Sequence, residues 1–307
     1  MADTKTILCI THYDLDGIGS CLATKWYYEQ LGYRFEYLCT STFGFREKVL
    51  NHSLQHKLDT YEKIIITDLD VTKDADIIDL PNVIIIDHHK SHADNKKYVN
   101  AVSIVKEYSS AALLCYKVYT KLFDTIKLTS EQKLFIALCD DYDSFKHKCP
   151  ESIKMNVIFW NMQNSFVKFM DIYRNGYVNF TTEQDNIYHI FEEDLKVTLK
   201  NLETFQIKKY RMGTSEPYDS VDCRVIAAFA TKHINEVACH LIDKLGADVA
   251  IVVNLSTKHV SIRRSKECEA NVALFAEDML GGGGHEYSAG GTITDAFMEF
   301  TQGLRKM

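Results

Sequence analysis

Short aliphatic runs alternate with amphipathic stretches through the first half of the chain. Ile7-Leu8-Cys9-Ile10 predicts a strand, after which Ile18, Leu22 and Trp26 recur at helical spacing until Gly32 ends the helix. A strand over 35–39, a helix over 45–55, and the runs Ile64-Ile65-Ile66 and Val83-Ile84-Ile85-Ile86 follow. Near-continuous apolar strands need cover on both faces, so the pattern predicts an α/β domain with a mostly parallel sheet between two layers of helices. From 151 to 206 the periodicity is helical, many positions are polar, and no strand run occurs, which predicts a helical connector. Strand-helix alternation then resumes, with strands expected over 225–229, 249–254 and 260–262 and helices over 234–245, 271–280 and 295–304. The expected layout is a domain over 1–150, the connector over 151–206, and a smaller α/β C-terminal domain over 207–307.

Composition narrows the class. The chain has 307 residues, 46% hydrophobic and 25% charged, which suits two packed globular domains and excludes collagen, coiled-coil and disordered classes. With 35 basic against 42 acidic residues, a net charge of -7 argues against a broad basic face that coats long nucleic acid. It leaves room for a short anionic substrate in a local pocket, or for a carboxylate cluster whose bound cations reverse the local sign. Nine cysteines without a C-x-x-C pair form neither a zinc ribbon nor a disulfide framework and suit a reducing cytoplasm. The first residues lack the plan of a signal peptide, and no apolar run approaches the ~18 residues that span a bilayer, so a cytoplasmic protein with no membrane partner is expected.

The acids and histidines gather at strand ends. His12-Tyr13-Asp14-Leu15-Asp16-Gly17 follows the first strand, Asp68-Leu69-Asp70 follows the third, and Asp87-His88-His89 follows the fourth. In an open parallel sheet the carboxyl ends of the strands form the binding crevice, so three strands deliver carboxylates and imidazoles to one edge. A fourth group, Asp140-Asp141-Tyr142-Asp143, closes a helical stretch. Singly, D-x-D-G reads as a turn and a strand-end Asp as a helix cap. An EF-hand counted from His12 fails because its twelfth position is Ala23. Taken together, so many acids repel unless cations neutralise them, and mixed imidazole and carboxylate donors suit manganese, iron or magnesium in a two-metal hydrolase.

Gly281-Gly282-Gly283-Gly284-His285 follows a helical pattern and lies too near the end of the chain to link domains. Glycine amides there offer an approach to an anion, with His285 as a further donor, and Arg263 and Arg264 offer guanidinium groups to a phosphate.

The set His12-x-Asp14-x-Asp16-Gly17, Asp68, Asp87-His88-His89 and Asp141-x-x-x-Phe145, closed by Gly282-Gly283-Gly284-His285, resembles the DHH phosphoesterase superfamily. The run from Ser261-Ile262-Arg263 through Asn271-Val272 to Ser288-Ala289-Gly290 looks like the DHH-associated domain of oligoribonucleases and single-strand exonucleases, and Glu107-Tyr108-Ser109-Ser110-Ala111-Ala112 is similar to the stretch after their DHH motif. The resemblance implies two manganese ions, with magnesium as an alternative. His12, Asp14 and Asp68 would hold one and Asp16, Asp68, His88 and Asp141 the other, with Asp68 bridging. It further implies that His89 contacts the scissile phosphate, that Asp87 orients the histidines beside it, and that Arg263, Gly282, Gly283, Gly284 and His285 grip the terminal phosphate or nucleotide. One residue between His12 and Asp14 matches the exonuclease branch, and Asp141-Tyr142-Asp143 replaces the D-T-G of oligoribonucleases, which makes Asp143 an added ligand or a helix cap and leaves Asp140 as the fallback.

The expected activity is hydrolysis of short oligonucleotides to mononucleotides, with interdomain closure over the substrate. The alternatives are a phosphodiesterase acting on cyclic dinucleotides or pAp at the same site and, from a different class, a nucleotide sensor with a dead site. A homodimer is compatible with the superfamily.

Overall fold

The computed structural model describes residues 5–94, 98–106, 110–216 and 218–307. Contacts divide the chain into two compact units, 1–189 and 190–307. The first unit begins with β1 (Thr6–His12), α1 (Leu15–Gln30), β2 (Arg34–Thr40), α2 (Phe45–Gln55), β3 (Lys63–Thr67), α3 (Ala75–Ile78), β4 (Val83–Asp87), α4 (Lys90–Asp94) and β5 (Val102–Val105). It continues with α5 (Ala111–Leu122), α6 (Ser130–Asp143), α7 (Pro150–Asn161) and α8 (Ser165–Ile172), and α9 (Thr182–Lys200) crosses into the second unit.

The five strands form a parallel sheet in the order β2-β1-β3-β4-β5. Alternate side chains enter opposite cores, as a strand's two-residue period requires. Ile7, Cys9, Ile65 and Ile86 join α1, α5, α6, α7 and α8 on one face, while Leu8, Ile10, Ile64, Ile66 and Ile85 pack with Phe45, Val49 and Ile78 on the other. Burial on both faces is why these strands read as unbroken apolar runs. Strand order reverses between β1 and β3, which opens a crevice at their carboxyl ends. Gly19 lets α5 and α6 approach α1, because a Cβ there would lie 2.7 Å from the Ala112 Cβ and 2.9 Å from the Cys139 Sγ.

The second unit contains β6 (Thr204–Gly213), β7 (Ser220–Phe229), α10 (Ile234–Asp243), β8 (Val249–Asn254), β9 (His259–Arg264), α11 (Val272–Leu280), β10 (Gly283–His285), β11 (Ser288–Thr292), α12 (Asp295–Thr301) and β12 (Arg305–Lys306). Its sheet has the order β10-β11-β9-β8-β7-β6-β12, in which β7 and β8 pair in parallel and the other neighbours pair antiparallel. Helices α11 and α12 cover one face, and α10 with Leu199 and Leu202 covers the other.

The protein is thus an α/β chain with a parallel-sheet unit followed by a smaller mixed-sheet unit. Periodicity does not announce β5, the start of β6, or the hairpin of β10 and β11. The hairpin is glycine-rich and owes its strand state to pairing with β9 rather than to propensity. The stretch 151–206 is mainly helical, and α7 and α8 bury Met155, Ile158, Phe159, Phe166, Phe169 and Met170 in the first unit's core. Among the described residues, no helix is long and apolar enough to cross a membrane.

Burial of α8 sets a stability expectation. Phe169 is fully buried, and Phe169→Ala should cost about 3–5 kcal/mol in urea unfolding with an unchanged m-value. A position in a solvent-bridging connector would cost within about 0.5 kcal/mol.

Candidate metal centre

The site is built where β1, β3 and β4 end. β1 delivers His12, and the chain turns at once into α1 with Asp14 as its cap, accepting from the Gly17 N–H at 2.8 Å. Gly17 is required there, since a Cβ would lie 2.0 Å from the His12 carbonyl oxygen. The other oxygen of Asp14 lies 2.6 Å from His12 Nδ1. Beneath the turn, Thr67 Oγ1 donates to Thr11 Oγ1 at 2.9 Å, Thr11 donates to the Gly17 carbonyl at 3.0 Å, and Ser20 Oγ lies 2.9 Å from Thr67. These buried hydroxyls tie β1, α1 and β3 together under the acids.

Asp16 is buried and accepts from the backbone N–H groups of Ala111 and Ala112 at 2.6 and 2.8 Å, so its carboxylate rests on the first turn of α5. Asp68 follows β3 in the left-handed region, with φ 57°, and its N–H donates to the Ile86 carbonyl at 3.2 Å. It is 3% exposed, and its Oδ2 has no hydrogen-bond partner among the described residues. β4 ends in Asp87, which is fully buried and splits its two oxygens between His89 Nδ1 at 2.8 Å and His92 Nδ1 at 2.7 Å. The far nitrogen of His92 meets the Tyr98 hydroxyl at 2.8 Å. His88 Nε2 points to Asp68 Oδ1 at 3.3 Å, Asp16 Oδ2 at 3.7 Å and Asp143 Oδ2 at 3.9 Å.

Electrostatics reflect this crowding. Burial and the charges of Asp14, Asp16, Asp143 and Asp87 push the Asp68 carboxyl well above the usual range. Burial, with Asp16, Asp14 and Asp140 nearby, pushes Asp143 up to about 9. Burial also raises Asp16 to about 6, although His88 opposes it. Burial works against ionising Asp14 and Asp87 as well, but the histidine hydrogen bonds hold both below the ordinary value.

Three overlapping donor sets, each with ligand atoms within 4.8 Å of one another, emerge: His12, Asp14 and Asp68; Asp16, His88 and Asp143; and Asp68, Asp87, His88 and His89. They fit divalent cations. The donors are hard carboxylates with imidazoles, the buried Asp68 Oδ2 has only the His12 nitrogen at 3.9 Å and no hydrogen bond among the described residues, and the raised carboxyl groups mark a charge excess that cations relieve.

Asp141 stands outside these sets. Its carboxylate accepts from the N–H groups of Lys148 and Cys149 at 3.0 and 3.1 Å and from Ser152 Oγ at 2.6 Å, so it ties the α6–α7 turn together rather than facing His88. Asp143 faces the cluster instead. The signal for it is helical spacing, because Phe135, Cys139 and Asp143 fall at i, i+4 and i+8 of α6, with Phe135 against Trp26 and Cys139 beside Gly19 of α1, whereas Asp141 continues the stripe of Leu134 and Leu138. Asp140 bonds Lys146 Nζ at 2.6 Å, and its other oxygen is buried with no hydrogen-bond partner among the described residues. His92 and Tyr98 escape sequence reasoning; a histidine five residues after the Asp that heads a D-H-H run, on a short helix, is the available clue.

The remaining residues lie in the second unit. Gly281 ends α11 at φ 56°. Gly282 and Gly284 permit close strand contact, since a Cβ would lie 2.0 Å from the Gly290 oxygen and 2.6 Å from the Ser288 oxygen respectively, whereas Gly283 has open space. Backbone register sets position 285 opposite Ser288 and Ser288 opposite Arg263 in one row. The His285 side chain and residues 107–109 lie outside what is described. Arg263 Nη2 donates to Asn235 Oδ1 at 3.0 Å. Arg264 is tied to the Glu286 backbone oxygen at 3.2 Å and lies over the Tyr287 ring at 4.0 Å.

Comparison with solved structures gives the same architecture at low identity. An exopolyphosphatase-related protein from Bacteroides fragilis matches with 15% identity and TM-score 0.54, covering 97% of this chain and 91% of its own. Exonuclease RecJ bound to manganese matches with 14% identity and TM-score 0.57, covering 98% and 89%. RecJ from Thermus thermophilus, in complex with Mn2+, matches with 15% identity and TM-score 0.59, covering 97% of this chain and 51% of that one. No curated protein matches the chain. Residues 6–139 match the DHH family, N-terminal domain, and residues 223–306 match the DHHA1 domain. With both domains present in that order, the chain belongs to the DHH superfamily of phosphoesterases.

Proposed function

We propose that the chain is a two-metal phosphodiesterase that hydrolyses short oligonucleotides to mononucleotides. The observation that carries this reading is that Asp68, buried with one oxygen that no hydrogen bond satisfies among the described residues, belongs to two of the three donor sets at the crevice. In this proposal His12, Asp14 and Asp68 hold one cation and Asp16, Asp68, His88 and Asp143 the other, with Asp143 in the place that the family resemblance alone would give to Asp141. Manganese or magnesium bound there makes water more acidic and offsets charge on the phosphoryl oxygens.

The protein's own groups do the positioning. Asp87 fixes both His89 and His92 through Nδ1, which leaves His89 Nε2 to meet a phosphate oxygen. Tyr98 holds His92, and His92 in turn holds Asp87, which restrains the aspartate from turning away from His89. Amides at the start of α5 keep Asp16 aimed while it is buried. In the second unit, Arg263, position 285 and the glycines 282–284 take the substrate's phosphate, supported by the shared row of 263, 288 and 285. The net charge of -7 favours a short substrate over a long one, and the free cysteines favour the cytoplasm.

Product analysis with added manganese tests the substrate class, on labelled di- to pentaribonucleotides, a longer single-stranded DNA, pAp and cyclic di-adenylate. Turnover confined to the short RNAs supports the proposal. Turnover of long DNA moves the chain to the exonuclease branch, and preference for pAp or the cyclic dinucleotide moves it to those phosphodiesterases.

The cluster also makes a stability prediction. Manganese at about 100 times its Kd should stabilise the chain by about 2.7 kcal/mol in thermal unfolding. Asp68→Asn should raise the metal-free melting temperature, because one repelling charge is gone, and abolish the metal-dependent increment together with turnover.

Asp143 and Asp141 separate under the same assays. Asp143→Asn should lower manganese affinity measured by calorimetry by at least ~10-fold. Asp141→Asn should cost about 1–3 kcal/mol of stability through its lost acceptor bonds and leave manganese affinity intact.

A further inference from the structure

Beside the acidic crevice the first unit carries an aromatic group that the metal chemistry does not use. Tyr13 lies between His12 and Asp14, so its Cα is roughly 3.8 Å from theirs. Their side chains bond each other, while the Tyr13 ring packs elsewhere, 5.9 Å from Phe166 at an interplanar angle of 26° and 5.6 Å from Phe159. Its hydroxyl meets Ser165 Oγ at 3.1 Å, which fixes the ring at both ends. Phe159 and Phe166 are buried and form a floor.

Trp160 stands beside Tyr13, with ring centroids 6.2 Å apart at 62°, and meets Phe159 edge-on at 87°. It is 57% exposed and Tyr13 is 36% exposed, whereas the other tryptophan, Trp26, is buried. A large ring held by aromatic neighbours yet left open to water loses little conformational entropy when a flat ligand stacks on it.

We infer that Tyr13 and Trp160 form a stacking site for the nucleobase attached to the phosphate held at the crevice. The inference rests on the proposed nucleotide substrate and adds a named base site to it. Continuity sets the occupant, because Tyr13 is flanked in the chain by two cluster residues, so a phosphate at His12 and Asp14 brings its own nucleoside to the ring. Stacking accepts every base, since each has a π-face, and gives a site that discriminates nucleotides from base-free phosphates rather than one base from another.

The test is binding by the full chain with manganese present, which needs no turnover. AMP should quench Trp160 fluorescence, and Trp26, being buried, should not respond. Trp160→Ala should lose the quench and bind AMP ~10-fold more weakly by calorimetry, and Trp160→Phe should recover most of that affinity. Ribose 5-phosphate, which lacks the base, should bind Trp160→Ala and the unaltered chain equally. The stacking site is overturned by absent quenching in the unaltered chain, by quenching that survives Trp160→Ala, or by equal loss for AMP and ribose 5-phosphate. If AMP binding behaves as expected while no oligonucleotide is cleaved, the stacking site stands and the proposed activity falls.

Discussion

A carboxylate that is 3% exposed, at φ 57°, among four other acids is an expensive thing to bury, and the first unit is organised around Asp68. Its backbone is held by the Ile86 carbonyl of the neighbouring strand, and the hydroxyls of Thr11, Ser20 and Thr67 lock the strand that leads to it. The strand-order reversal places its neighbours, since β1 and β3 stay paired up to Thr11 and Thr67 while the next strands, β2 and β4, lie on opposite sides of that pair, just where His12 and Asp68 emerge. Helices α1, α5 and α6 then close on one another at Gly19, and this brings Asp16 and Asp143 to the same edge. The charge excess that results is unfavourable in an empty protein and favourable around cations. Fold and cation affinity are therefore two sides of one electrostatic balance.

Much of this is readable from residue order. Apolar runs mark β1, β3 and β4 with nearly their observed limits, because strands buried on both faces carry an unambiguous pattern, and the acids follow directly from the strand ends. The loss of legibility has physical causes. β5 is only four residues long, with Ser103 interrupting its aliphatic positions, and the β10–β11 hairpin is rich in glycine, so neither presents a run long enough to announce itself. The helices after 150 look polar because their exposed faces are, yet α7 and α8 turn Phe159 and Phe169 inward.

The fourth acidic group shows the limit most clearly. Asp140, Asp141 and Asp143 are indistinguishable as letters, and a helix sends them in different directions. Counting along α6 from Cys139 aims Asp143 at α1, while Asp141 finds three donors in the turn that follows. His92 is invisible for another reason, since its partner Asp87 already has an explanation within the D-H-H run. Folding brings two imidazoles onto this aspartate, one of them fully buried.

Asp14 divides its two oxygens between different tasks, one capping α1 through Gly17 and the other facing His12. The first turn of a helix and the first donor set consequently share a single side chain. Asparagine can cap almost as well but carries no charge, and glutamate carries the charge on a stem too long to cap. No other residue type meets both demands, so position 14 is closed to gradual adjustment: the helix cannot be retuned without disturbing the donor set, nor the donor set without loosening the helix.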